Sequence, residues 1–341
     1  MRYRDAGVDK ARAEAIKRDI LEAARATWSA GVRPLPGGFA GVMELPAGRP
    51  GAPRLVAATM DGVGTKLHLA LAAGRVEQAA ADLVYHGAND LLVHGARPLA
   101  FLDYVAQSRL DAGVVASVVR GLARACREVR AALLGGETAE MPDTYLPGVI
   151  DVAGCMLGSV DPAMLLDGSA TRPGDVLLGL GSSGLHTNGY ALARRIVARS
   201  GLSLSDPLPG TRGSVADALL APHRWYGPAL EPQVARGELH ALAHVTGGGI
   251  GGNLARVLPP GVRAVVRGRA WERPAVFRWL IEAGDVPEED ARSTFNLGIG
   301  MIAVCAPERA ADVAAALRAA GETVHTIGEL EAGAAGVAWR D

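Results

Sequence analysis

Apolar residues along this chain alternate between two rhythms. Short runs rich in Val, Ile, Leu and Ala (Leu55 to Thr59, Leu99 to Ala106, Ala132 to Leu134 and Val149 to Val160) have the length and make-up of strands. Between them lie longer stretches with helical spacing: Leu67 to Ala73, Val76 to His94, and Asp111 to Ala131, with Asp111 as N-cap of the last. An earlier helical stretch, Lys10 to Trp28, leads into a Gly/Pro-rich loop, Pro34 to Gly41. That composition suits a mobile lid whose amides wrap phosphates, and equally a plain connector.

Turn signals cluster at Asp161-Pro162, Asp167-Gly168 and Arg172 to Asp175, and place a domain boundary near residue 168. The second half opens with a strand, Val176 to Leu180, a polar glycine-rich turn, and a helix, Ala191 to Ser200. His240 and His244 are four apart, but their surroundings read as strand, which argues against a helical metal chelate. Two domains are expected, residues 1–168 and 169–341.

In the stretch from Val76 to His94, Asp82, His86, Asn89 and Asp90 share an arc of roughly 100°. Such an arc is either a solvated face or a place for a cation. At the end of the helix the macrodipole disfavours Asp90 by ~0.3–1 kcal/mol, a penalty that a bound cation reverses.

Other polar motifs sit at element ends. Asp61-Gly62-Val63-Gly64-Thr65-Lys66 follows the first strand, and an acid before a glycine turn presents a metal ligand where a helix begins. It is not a Walker loop, because GxxxxGK[ST] is absent. GGETAEMP, Gly135 to Pro142, sets Gly136, Glu137, Thr138 and Glu140 together, either to hold a cation or an amine, or as an acidic turn. SSGLHTNGY, Ser182 to Tyr190, offers Ser183, His186 and Asn188 before a helix. His186 there is a general acid/base, a hydrogen-bond donor or a capping residue. Gly247, Gly248 and Gly249 open another helical stretch, leaving amides for a phosphate or making a simple turn. The alternating glycines of TFNLGIGM, Thr294 to Met301, indicate close backbone packing or ligand approach.

Composition narrows the classes. A net charge of −1 and 4% aromatic residues give no footing for nucleic acid or a membrane surface. Cys126, Cys155 and Cys305 form no CxxC and read as reduced thiols. The segment MRYRDAGVDK has no apolar signal core, and apolar runs such as Leu297 to Ala306 are too short to span a bilayer. A soluble cytoplasmic protein is expected.

Taken in order, DAGVD (Asp5 to Asp9), DGVGTK, Asn89-Asp90, FLDY (Phe101 to Tyr104), GGETAEMP, DVAG (Asp151 to Gly154), SSGLHTNGY, TGGG and TFNLGIGM carry a resemblance. Over essentially its whole length the chain resembles the phosphoribosylformylglycinamidine cyclo-ligase, or AIR synthetase, family. The resemblance implies an α+β fold of two α/β-layered domains, with the N-terminal sheets of two subunits pairing in a homodimer. It implies ATP and Mg²⁺, and formylglycinamidine ribonucleotide as substrate. The γ-phosphoryl group goes to the formamide oxygen, and the amidine nitrogen then closes the imidazole with loss of phosphate.

By similarity, Asp61 and Asp90 take Mg²⁺ and, with Gly62, Gly64, Thr65, Lys66, Asn89, Gly136, Glu137, Thr138 and Glu140, the nucleotide. Lys66 is either a phosphate counter-charge or a surface cation. Ser183, His186 and Asn188 fall to the formamide–amidine end, His186 as a catalytic residue beside Asp61 and Asp90. Gly247 to Gly249 fall to the ribose phosphate. Two departures stand out: Ala40 replaces a frequent glycine in the lid, and a helix lysine near the nucleotide is represented only by Lys17, with Leu21 at the competing register. A small-molecule kinase of the same superfamily and a non-catalytic nucleotide-binding protein are the alternatives.

Overall fold

The computed structural model describes residues 2, 5, 31–33, 35, 38–44 and 55–340. The helical stretch expected from Lys10 to Trp28, with Lys17, lies outside them, as do most of DAGVD and Pro34, Pro36 and Gly37 of the expected lid. Among the described residues, twelve strands form two six-stranded sheets, one in each half. In spatial order the first is β1 (Val32–Arg33), β2 (Gly41–Glu44), β3 (Leu55–Gly62), β6 (Ile150–Val160), β4 (Arg97–Gln107) and β5 (Ala132–Glu140). Its pairings are antiparallel except that of β4 with β5. The second is β12 (Gly336–Arg340), β9 (Val262–Arg267), β11 (Val324–Ala332), β7 (Val176–Gly181), β10 (Ile299–Cys305) and β8 (Ala241–His244), with β12 and β9 parallel. Residues 161–175 connect the two sheets.

Helices α1 (Lys66–Ala72), α2 (Val76–Leu92) and α3 (Ala112–Glu128) belong to the first half. The second holds α4 (Tyr190–Ser200), α5 (Val215–Leu219), α6 (Gly227–Ala235), α7 (Gly249–Leu254), α8 (Ala275–Gly284), α9 (Glu288–Thr294) and α10 (Ala310–Ala319). Asp111 caps α3 as its sequence position predicts, accepting from the amides of Gly113 and Val114 at 2.8 and 3.0 Å. Val118, Leu122 and Ala125 then bury one helical face. Strand β6 alternates buried and half-buried residues along its whole length, as period-two packing under a helix layer requires.

GGETAEMP is not a turn. Gly135 to Glu140 continue β5, paired with Leu102 to Gln107 of β4. The glycines and acids therefore lie along the edge strand of the first sheet, mostly exposed.

Helix α2 is the centre of the molecule. Leu83, Val84, Ala88 and Leu91 enter the first core, while Leu92 and the following Val93 enter the second. It lies so close to the sheet that a Cβ at Gly87 would come 2.9 Å from Met156 Cβ. The opposite face of that sheet is uncovered among the described residues. Met60 (69% exposed), Leu102 and Leu134 stand there, with Leu99 and Leu146 also exposed.

Gly121 of α3 lies against the backbone of α2. A Cβ there would stand 2.0 Å from the Glu77 carbonyl oxygen. Gly121→Ala gains about 1 kcal/mol of helix propensity but must push two helices apart, at about 1–3 kcal/mol. Net destabilisation is expected in urea unfolding, and a stabilised variant would contradict the close crossing.

Candidate active site

The polar arc of α2 faces the second domain, and each of its side chains finds a partner there. Asp82 Oδ1 accepts from the His223 amide at 2.8 Å, and Asp82 Oδ2 from Lys66 Nζ at 2.5 Å. His86 Nδ1 meets Thr187 Oγ1 at 2.7 Å. Asn89 donates to the Arg224 carbonyl at 2.8 Å and accepts from the Tyr226 amide at 3.2 Å. Asp90 Oδ1 accepts from His244 Nδ1 at 2.8 Å. Neither a solvated face nor a bare cation cage, the arc is a buried inter-domain seam.

Asp61 stands at the end of β3, half-exposed, and accepts from His86 Nε2 at 2.8 Å; Asp90 Oδ2 lies 3.6 Å from the same nitrogen. Burial disfavours the charged ring, but the Asp90 and Asp61 carboxylates outweigh it and hold His86 up at about 9. Burial also opposes ionisation of Asp61, yet His86 and the Gly62 amide keep its carboxyl below the usual range. A cationic imidazole thus occupies the space between the two carboxylates expected to bind Mg²⁺. Those two oxygen donors, one of them open to solvent, suit Mg²⁺ shared with phosphate oxygens once His86 yields.

Lys66 is not a surface cation. It is fully buried, held by Asp82, by the His186 carbonyl at 2.8 Å, and 5.1 Å from the Tyr190 ring centre. Burial would lower its pKa, but Asp82 more than offsets this and raises it. Its ammonium is spent on the fold rather than turned toward a phosphate. Gly64 and Thr65, just before it, are exposed, and Gly64 has φ +65.

His186 is likewise interior, at 1% exposure, so it does not present its ring to a ligand. The ring stacks on His223 at 4.1 Å, and a Cβ at Gly300 would come 2.4 Å from its Cε1. Nε2 accepts from the Ser183 amide at 3.3 Å, which puts the proton of the neutral ring on Nδ1, buried without a partner. Burial, reinforced by the neighbouring histidines and Lys66, keeps its pKa well below the ordinary value. Ser183 donates its hydroxyl to the Pro222 carbonyl. Thr187 and Asn188 are half-buried, and Asn188 Oδ1 is 3.1 Å from where a Cβ at Gly247 would stand. The turn 182–190, the glycine triplet and Asp61–His86 therefore meet in one place. Gly248 and Gly249 take φ +106 and +65 to open the six-residue helix α7.

The GGETAEMP residues are not gathered with Asp61 and Asp90. Strands β6 and β4 intervene, three strand spacings or about 14 Å. Alternation puts Gly136, Thr138 and Glu140 on the face that carries Asp61, and Glu137 on the other. Glu140 accepts from the Leu110 amide at 2.9 Å. Between these ends runs the row Asp61, Gly154, Asp103, Gly136, and burial raises the pKa of Asp103.

Sequence reasoning missed His223 altogether, placed His86 only in an arc read as a solvated face or a place for a cation, argued against His244 as part of a chelate with His240, and met Asp103 only within the FLDY motif. The arc on α2 was the available signal for His86, whereas His223 and His244 reach it only through tertiary packing. Gly38 and Phe39, just before β2, are held from both domains. Phe39 donates its amide to His94 Nε2 at 2.9 Å, and the Arg256 guanidinium lies 3.5 Å over the Phe39 ring while donating to the Gly38 carbonyl at 2.7 Å.

Comparison with known proteins places this geometry. Residues 37–160 match the N-terminal domain of AIR synthase related proteins, and residues 172–340 their C-terminal domain. The chain is 42% identical over 331 residues to the chloroplastic phosphoribosylformylglycinamidine cyclo-ligase of Arabidopsis thaliana, covering 97% of this chain and 81% of that protein. It is 44% identical over 332 residues to the chloroplastic/mitochondrial enzyme of Vigna unguiculata, with the same coverage. The crystal structure of the hydrogenase maturation protein HypE in complex with ATP shares the fold, with TM-score 0.62 and 21% identity over 87% of this chain and 83% of that one.

Two outcomes follow for the protein without ligands. Lys66→Ala leaves Asp82 buried beside no cation and is expected to cost about 3–5 kcal/mol in chemical unfolding; a loss under 1 kcal/mol would mean that the pair is dispensable. Burial depresses the pKa of His186, His223 and His244, so below about pH 6.5 the unfolded chain binds protons that the folded chain refuses, and stability falls on acidification. His86 works in the opposite sense: its contribution is full below about 6.5 and is lost as pH rises through about 9. Thermal midpoints are expected to be highest near about pH 6.5 and to fall on either side of it, and a flat profile would contradict both assignments.

Proposed function

The chain belongs to the AIR synthase related family, and we infer from that membership that its inter-domain seam is where the ring closure takes place. It is a cyclo-ligase of purine biosynthesis, joining carbon to nitrogen to close the imidazole of aminoimidazole ribonucleotide. The observation that carries the siting is the convergence of Asp61 and His86 with Thr187 of the opposite domain.

ATP is the proposed phosphoryl donor, supported by the shared fold of an ATP-bound neighbour. Transfer to the formamide oxygen turns a poor leaving group into phosphate. The amidine nitrogen then attacks the same carbon, phosphate departs, and the nitrogen gives up a proton. Mg²⁺ would neutralise phosphate charge during that transfer. Asp61 and Asp90 would hold it, His86 withdrawing its charge from between them. Gly62, Gly64, Thr65 and the row from Asp61 to Gly136, with Thr138 and Glu140, form the proposed nucleotide side. Asn89 acts through the seam by fixing Arg224 and Tyr226. Thr187, Asn188 and Gly247 to Gly249 form the proposed substrate side. His186 positions that turn from beneath, and Ser183 closes its edge.

A homodimer is proposed through the uncovered sheet face around Met60 and Leu102, an apolar patch of the kind that marks an interface. The free thiols of Cys126, Cys155 and Cys305 fit a reducing compartment, and the cytoplasm is the one proposed. Among the described residues no helix is long and apolar enough to cross a membrane.

The deciding assay supplies formylglycinamidine ribonucleotide, ATP and Mg²⁺ and follows aminoimidazole ribonucleotide and ADP together. Equal, substrate-dependent yields are expected; ADP alone would indicate a kinase or uncoupled ATPase, and neither product a binding protein. Asp61→Ala is expected to lower kcat at least about a hundredfold with an unchanged fold, and normal turnover would remove Asp61 from the site. Met60→Asp with Leu102→Asp is expected to give monomers in light scattering. A persistent dimer would place the interface elsewhere.

A further inference from the structure

Beneath the carboxylates three imidazoles meet, and of these the proposed ring closure involves only His86. His86 comes from α2, His223 from the segment before α6, and His244 from the end of β8, so both domains contribute. Their ring centres form a near-equilateral triangle with sides of 5.6, 5.0 and 5.2 Å, each pair edge to face. One nitrogen from each lies within 4.8 Å of the other two, and all three residues are buried.

The geometry points to a buried site for a borderline divalent transition cation, of which Zn²⁺ is the type, held by His86, His223 and His244. Zinc–nitrogen bonds of about 2.0–2.1 Å set tetrahedral ligands about 3.3 Å apart. His223 Nε2 and His244 Nε2 are already 3.1 Å apart. His244 is oriented as a metal-binding imidazole is, with Nδ1 donating to Asp90. Because Nδ1 carries that proton, Nε2 of the neutral ring has a lone pair. His223 must now donate to it, which leaves His223 Nδ1 buried without a partner. A cation between the two Nε2 atoms replaces their single hydrogen bond by two metal–nitrogen bonds, with the proton of His223 moved to Nδ1. His86 completes the set by exchanging one of its present partners, Asp61 or Thr187, for the ion.

Formal charge favours the exchange. Asp61 and Asp90 set two carboxylates against the three rings, and their charge offsets that of a dication held by neutral imidazoles. Three nitrogen donors select against Mg²⁺, which takes oxygen ligands and keeps its water. The site is therefore separate from the Mg²⁺ role proposed for the carboxylates and stands whether or not that role holds. Its occupation ties the two domains together through the seam.

Full-length, tag-free, metal-stripped protein titrated with Co²⁺ in a large excess of Mg²⁺ tests the site, read by visible absorption and thermal melting. One tightly held equivalent is expected, with the intense bands of four-coordinate cobalt and a raised midpoint. His223→Gln is expected to lose both signals, and His240→Gln, bonded instead to Asp175, to keep them. Failure to retain cobalt, its displacement by Mg²⁺, or retention undiminished in His223→Gln would overturn the site. Should His223→Gln not fold, His86→Gln carries the same comparison from the other domain.

Discussion

A helix buried on all sides cannot leave charged groups without partners, and α2 carries Asp82, His86, Asn89 and Asp90 into the middle of the molecule. Unpaired, each would cost about 1–3 kcal/mol or more. The second domain supplies the answering groups: the His223 amide, Thr187, the Arg224 and Tyr226 backbone, and His244. Domain orientation, the site's location and the charge state of His86 all follow from satisfying that one stripe. Apolar packing alone would let the halves slide; hydrogen bonds of fixed direction do not.

Much of the scaffold was legible. The period-two run of β6, the capped start of α3 and the extent of α2 are local properties, and local sequence specifies them. GGETAEMP misled because glycines and acids read as a turn, whereas pairing with β4 keeps them extended along an edge. The order of the motifs carried the family where single motifs did not.

The site was legible only in part, for a physical reason. Asp82, His86, Asn89 and Asp90 could be grouped by their phase on α2, but Lys66 and His186 were expected at a ligand and lie inside. Sequence gives a side chain's chemistry and its phase on a helix, not what the other domain will place against it. Asp82 takes up Lys66, and the layer of His223, Tyr226 and Gly300 encloses His186. His223 lies in no motif, so only the folded chain reveals it. Glu137 and Glu140 show the converse: three residues apart, they fall on opposite faces of a strand, although both would stand together on a helix.

The clasp of Arg256 on Phe39 joins the start of the first sheet to the far domain. A guanidinium over a buried ring and a charge-assisted hydrogen bond together are worth about 3 kcal/mol, so releasing them slows a motion about a hundredfold. Gly38 and Phe39 are therefore fastened to the second domain as well as to their own. They thus take their place in the first sheet's surroundings from a side chain borne on the other half of the protein, and a change at Arg256 would be felt across the domain boundary.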